Sequence, residues 1–371
     1  MREIYEKHFA AIEDTRCQCD VDYKLVDVLI QIMCAVLCGL DEPEDIVTYG
    51  KEKRGFLSKN FGITKTPSES TLSRILNMVN GNALAECIIN IMREQIGVAG
   101  EIIAVDSKTV RSTAKKGANR EKLHILTAYM TENGVTLGQL AVNEKTNEIP
   151  VMRDLLDMID IKGKIITADA MHCQKETVEK ITDLGGSYVL GLKGNQETLF
   201  DEVRKLIEDC VKDKNIEVET ARTTEKNKGR LEQRTCYKAP NLDWFESKDE
   251  WKGLNTAFAV HRRTTTKEGV SEETGYYITN LDLPAERLLS IVREHWKIES
   301  MHWLLDVVFA EDDCQILNPN GQKTLNIFRK IALAFHKNFV SGLKQKTKPS
   351  LKQNMLKALM SDKLLIEVIG N

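Results

Sequence analysis

The stretch EIIAVDSKTVR, residues 101–111, contains a short apolar run that stops at an acid. The run from Ile102 to Val105 is followed at once by Asp106. An uninterrupted apolar run of this length is typical of a strand that is covered on both faces of a sheet. We therefore predict a buried strand that ends at Asp106, with its carboxylate at the exit.

A second stretch, KIITADA at residues 164–170, repeats this pattern, and its apolar run leads into Asp169. If the two strands are parallel neighbours, both carboxylates emerge at the same edge of the sheet. A third acid, Glu299, lies in the apolar helical stretch REHWKIESMHWLLDVVF, residues 293–309. Two carboxylates at a sheet edge and one on a helix suit a two-metal site for phosphoryl transfer. These three acids predict a metal-dependent polynucleotidyl transferase.

The composition is that of a globular protein with two or three domains. The chain has 371 residues, of which 42% are hydrophobic and 29% are charged. No apolar segment reaches the roughly 18 to 20 residues of a membrane span, and the first residues lack a signal-peptide core. We therefore expect an intracellular protein. The nine Cys are scattered, which favours buried thiols over disulfides and does not favour a structural zinc site.

The net charge of −3 does not point to nucleic acid, but the charges are unevenly distributed. Residues 314–361 contain nine Lys or Arg residues and no Asp or Glu. A second group of cations follows Asp106: Lys108, Arg111, Lys115, Lys116, Arg120 and Lys122. A local excess of this kind suits a phosphate backbone, although a solvated helix face has the same composition. The DNA contacts that we predict are Lys108, Arg111, Lys193, Asn195, Gln196, His295, Lys323 and Arg329.

The order of patterns along the chain predicts three regions. Residues 1–95 are predicted to be helical, and SESTLSRILNMV at 68–79, capped by Ser68 or Ser70, is either a helix-turn-helix reader or a plain packing helix. Residues 96–310 contain three antiparallel strands followed by helix, strand, helix and strand, which is the order of a ribonuclease-H-like α/β fold. Within them, residues 196–282 are predicted to be an inserted β-rich subdomain or an extension of the sheet. Residues 311–371 are predicted to be helical and basic.

The helix predicted at 284–309 carries a polar stripe. His295, Glu299, His302 and Asp306 are spaced by four, three and four residues, so they share one face. This face lines a cleft or is the exposed face of a surface helix. Zinc bound by His295, Glu299 and His302 is a further alternative, but it leaves Asp106 and Asp169 unexplained.

Four motifs, AVDSKTVR, ITADAMHCQ, YVLGLKGNQ and REHWKIESMHWLLDVVFAED, resemble in this order the DDE transposases of bacterial insertion sequences, in particular the H-repeat-associated group. The first 90 residues resemble the helical domain that accompanies them. The resemblance implies a DNA transposase that uses Mg²⁺ or Mn²⁺ and acts in the bacterial cytoplasm at the nucleoid. It implies that Asp106, Asp169 and Glu299 are the catalytic metal ligands. It also implies cleavage at terminal inverted repeats, transfer of the freed 3′ hydroxyl to target DNA, and a homo-oligomer that pairs the ends.

The last motif departs from the wider insertion-sequence pattern. When Glu299 is aligned with the family's Glu, the places of the family's Tyr, Arg and Lys are taken by Val292, His295 and Asp306. If His295 replaces the arginine, it has to be protonated to contact a phosphate. Two other functions stay open: a DNA-binding protein derived from a transposon and no longer catalytic, and a ribonuclease-H-like nuclease without strand transfer.

Overall fold

The computed structural model describes residues 1–17, 21–111, 123–142, 147–213, 218–227, 229–242, 245, 248–344 and 347–370. The predicted basic residues Lys115, Lys116, Arg120 and Lys122 lie outside these ranges, as does Lys346. The chain divides into two compact units. The first unit comprises Met1–Ala99, Ser107–Thr146 and Glu299–Asn371, and the second comprises Gly100–Asp106 and Asn147–Ile298.

The first unit is mainly helical. Its core contains α2, in which eleven of thirteen residues are buried, and the long helix α11, in which sixteen residues are buried. Ser68 caps α5 by accepting a hydrogen bond from the backbone N–H of Thr71, as the sequence predicted. The helices are α1 Arg2–Phe9, α2 Leu25–Leu37, α3 Pro43–Glu52, α4 Arg54–Phe61, α5 Glu69–Met78, α6 Gly81–Gln95, α11 Pro319–Gly342, α12 Leu351–Met360 and α13 Asp362–Gly370.

The first unit also contains a β-hairpin formed by β2, Leu123–Met130, and β3, Val135–Val142. The turn that joins these strands includes Gly134, whose φ of 76° lies in the left-handed region that favours glycine. Asn133 and Gly134 form an Asn-Gly step, which is a common turn in hairpins. The strand order in this part of the sheet is β3-β2-β1.

Strand β1 is longer than predicted. It extends over Ile102–Val110, so it continues for four residues beyond Asp106, and its second half belongs to the first unit. Lys108 is buried in this continuation. The sequence hid the continuation because a lysine interrupts the apolar pattern.

The second unit is an α/β sheet in the order β1-β4-β5-β9-β8-β7-β6. β1, β4 and β5 are parallel neighbours, and β9 pairs with β5 in the antiparallel direction. The helices α7 and α8 connect the strands β3, β4 and β5 along the chain. The elements not yet given are α7 Glu148–Asp157, β4 Ile165–Ala168, α8 Lys175–Asp183, β5 Ser187–Leu192, α9 Glu197–Lys212, β6 Glu219–Asn227, β7 Arg230–Lys238, β8 Thr256–Thr265, β9 Val270–Thr279 and α10 Ala285–Val307.

The β-rich segment is an extension of the sheet, since β9 joins it directly to β5. The sixteen-residue helix α9, which begins this segment, was not predicted. The strand orders within the two units and the chain order of strands and helices confirm the ribonuclease-H-like α/β fold with an all-helical N-terminal region. The domain boundaries predicted at residues 95 and 310 remain a prediction.

In the described part of the chain, no single helix has both the length and the apolar composition of a membrane span. The helices α5 and α6 meet that criterion only when they are taken together across a bend of 91°.

Candidate active site

Asp106 and Asp169 follow paired residues of two neighbouring parallel strands. Val105 of β1 pairs with Ala168 of β4, so the next residue on each strand is an aspartate. The parallel pairing therefore places Asp106 beside Asp169, at the point where β4 ends and β1 continues. Asp106 is half-buried, and the side chain of Asp169 is 63% exposed.

The helix α10 brings His295 to Asp169. Leu288 and Val292 of α10 pack in the same apolar core as Ile165 of β4. His295 lies one turn beyond Val292 on the same face of α10. Thr167 follows Ile165 on the same face of β4, and Asp169 continues that alternation just after the strand ends. The apolar contact between the helix and the strand therefore becomes polar at His295.

Each nitrogen of the His295 imidazole has a partner. Nδ1 lies 3.0 Å from Thr167 Oγ1, and Nε2 lies 3.6 Å from Asp169 Oδ1. When the hydroxyl of Thr167 donates to Nδ1, the Nε2 proton is directed towards the carboxylate. The hydrogen bond from His295 lowers the pKa of Asp169 below its usual range, and the charge of Lys193 acts in the same direction. His295 therefore favours the ionised form of Asp169.

A second histidine, His172, lies buried near the two aspartates. It belongs to the short 3₁₀ helix Ala170–His172, and its Nε2 lies 3.9 Å from Oε2 of Glu148 at the start of α7. Burial lowers the pKa of His172, against a smaller opposite effect from Glu148, Asp106 and Asp169. Two histidines therefore lie near the carboxylate pair, His295 on α10 and His172 in this turn.

Glu299 occupies the next position of the α10 stripe after His295, and its side chain is exposed. It is the first residue of α10 that is counted with the first unit, whereas Asp106 and Asp169 belong to the second. No three His, Cys, Asp or Glu side chains among the described residues are grouped closely enough to bind a metal ion.

Lys108 lies in a group of acids and does not face solvent. Its Nζ lies 2.7 Å from Asp306, 3.1 Å from Glu311 and 3.7 Å from Asp312. Burial acts to lower the pKa of Lys108, but the three carboxylates raise it above its usual value. A cavity of 610 Å³ in the first unit is lined by Asp306, Asp312, His302, Arg111 and the β1 residues 107–109. Lys108 is therefore already neutralised by protein carboxylates.

Arg329 is buried too, with 1% of its surface exposed. Its guanidinium lies 2.6 Å from Asp41 and 3.3 Å from Glu311, which also accepts a hydrogen bond of 2.8 Å from Asn326. A side chain in this position cannot reach a phosphate backbone. The burial and the ion pairs of Arg329 and Lys108 leave neither side chain an exposed charge, so we do not carry these two predicted DNA contacts into the proposal below.

The other predicted DNA contacts lie in different environments. Arg111 is 83% exposed at the side chain, and Lys193 is exposed. Lys323 is half-buried and donates a hydrogen bond to the side-chain oxygen of Asn82, and burial lowers the pKa of Lys323. The amides of Asn195 and Gln196 donate to backbone carbonyls of the segment after Asp169.

Three polar residues near this chemistry were not predicted as site residues. His172 lies inside the motif ITADAMHCQ, and its type and its distance from Asp169 could have drawn attention to it. Glu311 also lies inside a motif, REHWKIESMHWLLDVVFAED, whereas Glu148 does not. The roles of both acids depend on contacts with residues that are distant in the sequence, which no motif predicts.

Known proteins with similar sequences cover nearly the whole chain. The sequence profile of the transposase DDE domain family matches residues 99–335, and the profile described as DDE_Tnp_1-associated matches residues 6–92. The chain is 36% identical over 373 residues to YhhI of Escherichia coli strain K12, whose name assigns it to the H repeat-associated transposases, and the match covers 96% of this chain and 97% of YhhI. It is 34% identical over 355 residues to YncI of Escherichia coli O157:H7, which is also named as a transposase, with 92% and 90% covered.

Among solved structures, the piggyBac transposase in its synaptic complex with hairpin DNA aligns with a TM-score of 0.43 at 10% identity. That alignment covers 100% of this chain and 77% of the piggyBac chain, and its TM-score is too low to support an argument. The sequence matches are sufficient without it. This chain belongs to the transposase DDE domain family.

Proposed function

We propose that this transposase cleaves DNA at the ends of its insertion sequence and transfers the freed 3′ hydroxyl to target DNA, with a divalent metal ion bound by Asp106, Asp169 and Glu299. The observation that carries the proposal is the pairing of Val105 with Ala168, which places two carboxylates at one edge of a parallel sheet. Sites at this edge are the usual reaction centres of open α/β folds.

The donor set fits Mg²⁺ or Mn²⁺. Both are hard cations that prefer carboxylate oxygens, and Asp169 has an exposed carboxylate that is kept ionised by its neighbours. When bound, such ions activate the attacking oxygen and stabilise the leaving oxygen of the phosphodiester. Glu299, exposed on α10, supplies the third carboxylate in this proposal.

His295 positions the carboxylate of Asp169 and favours its ionised form. Thr167 fixes the orientation of the imidazole, and Nε2 faces Asp169 Oδ1. The Nε2–H group that faces Asp169 favours the ionised carboxylate, which is the form that can bind a cation. In this proposal His295 acts through Asp169 and does not itself bind phosphate.

Double-stranded DNA is the substrate, as terminal inverted repeats and as target, and two copies of the chain pair the two ends at the bacterial nucleoid. Lys193 and Arg111 are the cations that we carry forward as backbone contacts, because both are exposed. Each such contact contributes to affinity and to its dependence on salt, without reading the sequence.

A cleavage assay tests the proposal. A supercoiled plasmid that carries the reading frame with its natural flanking DNA is incubated with the protein and Mn²⁺, and nicks are mapped by primer extension. We expect cleavage at the boundaries of flanking inverted repeats, and we expect its loss in Asp106→Asn, Asp169→Asn and Glu299→Gln, with plasmid binding retained.

Each isosteric variant removes a charge with little change in size, so folding is checked by thermal unfolding in parallel. Cleavage at the wild-type rate in any of the three variants would contradict the assignment of the site. Cleavage without joined products would favour a nuclease, and binding without cleavage by the wild type would favour a silent DNA-binding protein.

A further inference from the structure

The segment that follows Asp169 depends on outside contacts for its shape. We call residues 169–174 the Asp169 turn. Its own backbone hydrogen bonds are three contacts of 3.0 Å, from His172 N to Asp169 O, from Cys173 N to Ala170 O and from Gln174 N to His172 O. A single turn of 3₁₀ helix has poorer hydrogen-bond geometry than an α-helix and is weak alone. The position of the Asp169 carboxylate depends on this turn, because β4 ends at the preceding residue.

Two side-chain amides from the residues after β5 hold the two ends of the Asp169 turn. Asn195 Nδ2 donates to Ala170 O at 2.8 Å. Gln196 Nε2 donates to Cys173 O at 3.0 Å and to Gln174 Oε1 at 3.1 Å. The amide of Gln196 thereby uses both of its protons. The motif YVLGLKGNQ, residues 188–196, thus holds the turn within the motif ITADAMHCQ, residues 166–174.

The strand before these amides also approaches the turn. β5 pairs with β4 up to Leu190 and Ala168. A Cβ placed on Gly191 would lie 3.4 Å from the backbone nitrogen of Ala170, which is van der Waals contact. The two amides therefore extend from a strand that already touches the start of the turn.

His172 is the buried side chain of the Asp169 turn. This residue is 1% exposed, and its imidazole faces Glu148 on α7. The turn therefore has amide contacts from Asn195 and Gln196 at its ends, and the buried imidazole of His172 lies between those ends and near Glu148.

We propose that Asn195 and Gln196 are positioning residues for Asp169, and that they act by holding the carbonyls of Ala170 and Cys173. This inference rests on the proposed function, since it assigns a role relative to the metal ligand Asp169. It replaces the phosphate contacts predicted for these two residues, because their amide protons are directed at protein carbonyls. A reactive centre tolerates displacements of only about 0.5 Å, and an error of about 1 Å can cost about a hundredfold in rate.

The test compares Asn195→Ala and Gln196→Ala with Lys193→Ala and Thr198→Ala in the full-length protein. Amide hydrogen exchange of peptides that cover residues 169–176 is measured without DNA. The Mn²⁺ concentration for half-maximal cleavage and the dissociation constant for the plasmid DNA are measured alongside. For both amide variants we expect faster exchange in the turn, an Mn²⁺ requirement raised about tenfold, and unchanged DNA affinity.

The controls should behave differently. Lys193→Ala should weaken DNA binding with no change in exchange of the turn, and Thr198→Ala should change neither quantity. Asn195→Asp keeps the size of the side chain but loses the donor and sets a carboxylate against the Ala170 carbonyl, so it should be at least as impaired as Asn195→Ala. If Asn195→Ala fails to fold, Gln196→Ala tests the same role from the other end of the turn.

Weaker DNA binding with unchanged exchange in the amide variants would overturn the proposal in favour of phosphate contacts. Faster exchange with an unchanged Mn²⁺ requirement would also overturn it, because the amides would then support the turn without positioning Asp169. Failure of the proposed function is recognised separately: in that case Asp169→Asn itself would cleave DNA normally.

Discussion

Two groups of charged side chains in this protein have opposite surroundings. At the edge of the sheet, the carboxylate of Asp169 is exposed and is held by one histidine and one short turn. Around Glu311, which has no exposed surface, acids and bases neutralise one another in the interior of the first unit. Lys108 and Asp106 are only two residues apart on β1, yet Lys108 belongs to the buried group and Asp106 to the sheet edge.

The difference separates charges that can perform chemistry from charges that support the fold. A buried charge is tolerated only when it is paired and hydrogen-bonded, and Glu311 accepts from Asn326 and faces both Arg329 and Lys108. An exposed carboxylate with a lowered pKa is available to a cation from solution. The same residue types therefore have different roles according to what surrounds them.

The largest effect is expected when the buried group is broken at Glu311. Glu311→Gln keeps the shape of the side chain but leaves Lys108 and Arg329 with one carboxylate fewer, and burial prevents water from replacing it. We expect a loss of about 3–5 kcal/mol in the free energy of unfolding, measured by urea denaturation. The matched control is Asp312→Asn, whose side chain is 26% exposed and lies 3.7 Å from Lys108; it should cost less than about 1 kcal/mol. Equal losses in the two variants would show that burial does not distinguish these acids.

The sequence predicted the sheet-edge group far better than the buried one. Asp106 and Asp169 end apolar runs, and a run that stops at an acid is a local signal. Arg329 looked like a DNA contact because residues 314–361 contain no acid, and Lys108 looked like one because it begins the group of cations that follows Asp106. Their partners Asp41 and Glu311 lie elsewhere in the chain, and no local pattern predicts such pairs. The extra residues of β1 were missed because Asp106 and Lys108 interrupt its apolar pattern. The helix α9 was missed although Leu199, Val203 and Leu206 follow helical spacing, because the whole segment 196–282 was interpreted as β-rich.

A second prediction concerns Lys330, which extends the buried group. Its ammonium binds Thr127 Oγ1 at 2.8 Å and Gln139 Oε1 at 2.7 Å, and burial lowers its pKa to about 7. The unfolded chain keeps this proton up to the ordinary lysine pKa of about 10.4, so between pH 7 and pH 10 the unfolded state binds more protons. The stability of the wild type should therefore rise with pH in this window, and below pH 7 the cost of the buried charge is constant.

Lys330→Met removes that titration. The unfolding free energy of the wild type minus that of the variant should therefore increase by on the order of 1.4 kcal/mol per pH unit between pH 7 and pH 10. Urea denaturation at several pH values measures the difference. Lys352→Met, at an exposed position of α12, is the control and should give a constant difference. A constant difference for Lys330→Met as well would mean that Lys330 stays charged in the fold.

A third prediction separates exposed from buried cations by the salt dependence of DNA binding. Lys193→Ala should reduce the slope of log affinity against log salt by about one unit, because one phosphate contact is lost. Arg329→Met should leave that slope unchanged while it destabilises the fold, since its guanidinium is paired inside the protein. Filter binding at several salt concentrations measures both slopes. A reduced slope for Arg329→Met would contradict the separation.

The smallest effect is expected at His295. The imidazole lowers the pKa of Asp169, so the ionised carboxylate contributes stability that is fully present above the ordinary Asp pKa of about 3.9 and is lost as the pH falls through the lowered value. His295→Gln keeps a hydrogen-bond donor but removes the charge, and it should return the pKa of Asp169 towards its ordinary range. Acid unfolding should then begin at a slightly higher pH.

Because the side chain of Asp169 is 63% exposed, solvent screens this attraction, and the loss should stay below about 1 kcal/mol. His295→Arg restores a cation and should restore the wild-type acid transition. The measurement is the pH midpoint of acid unfolding for the three proteins, with Asp169→Asn as the background in which His295→Gln should have no further effect. An unchanged midpoint in His295→Gln would mean that His295 contributes through Thr167 and packing alone, and that Asp169 owes its lowered pKa to Lys193.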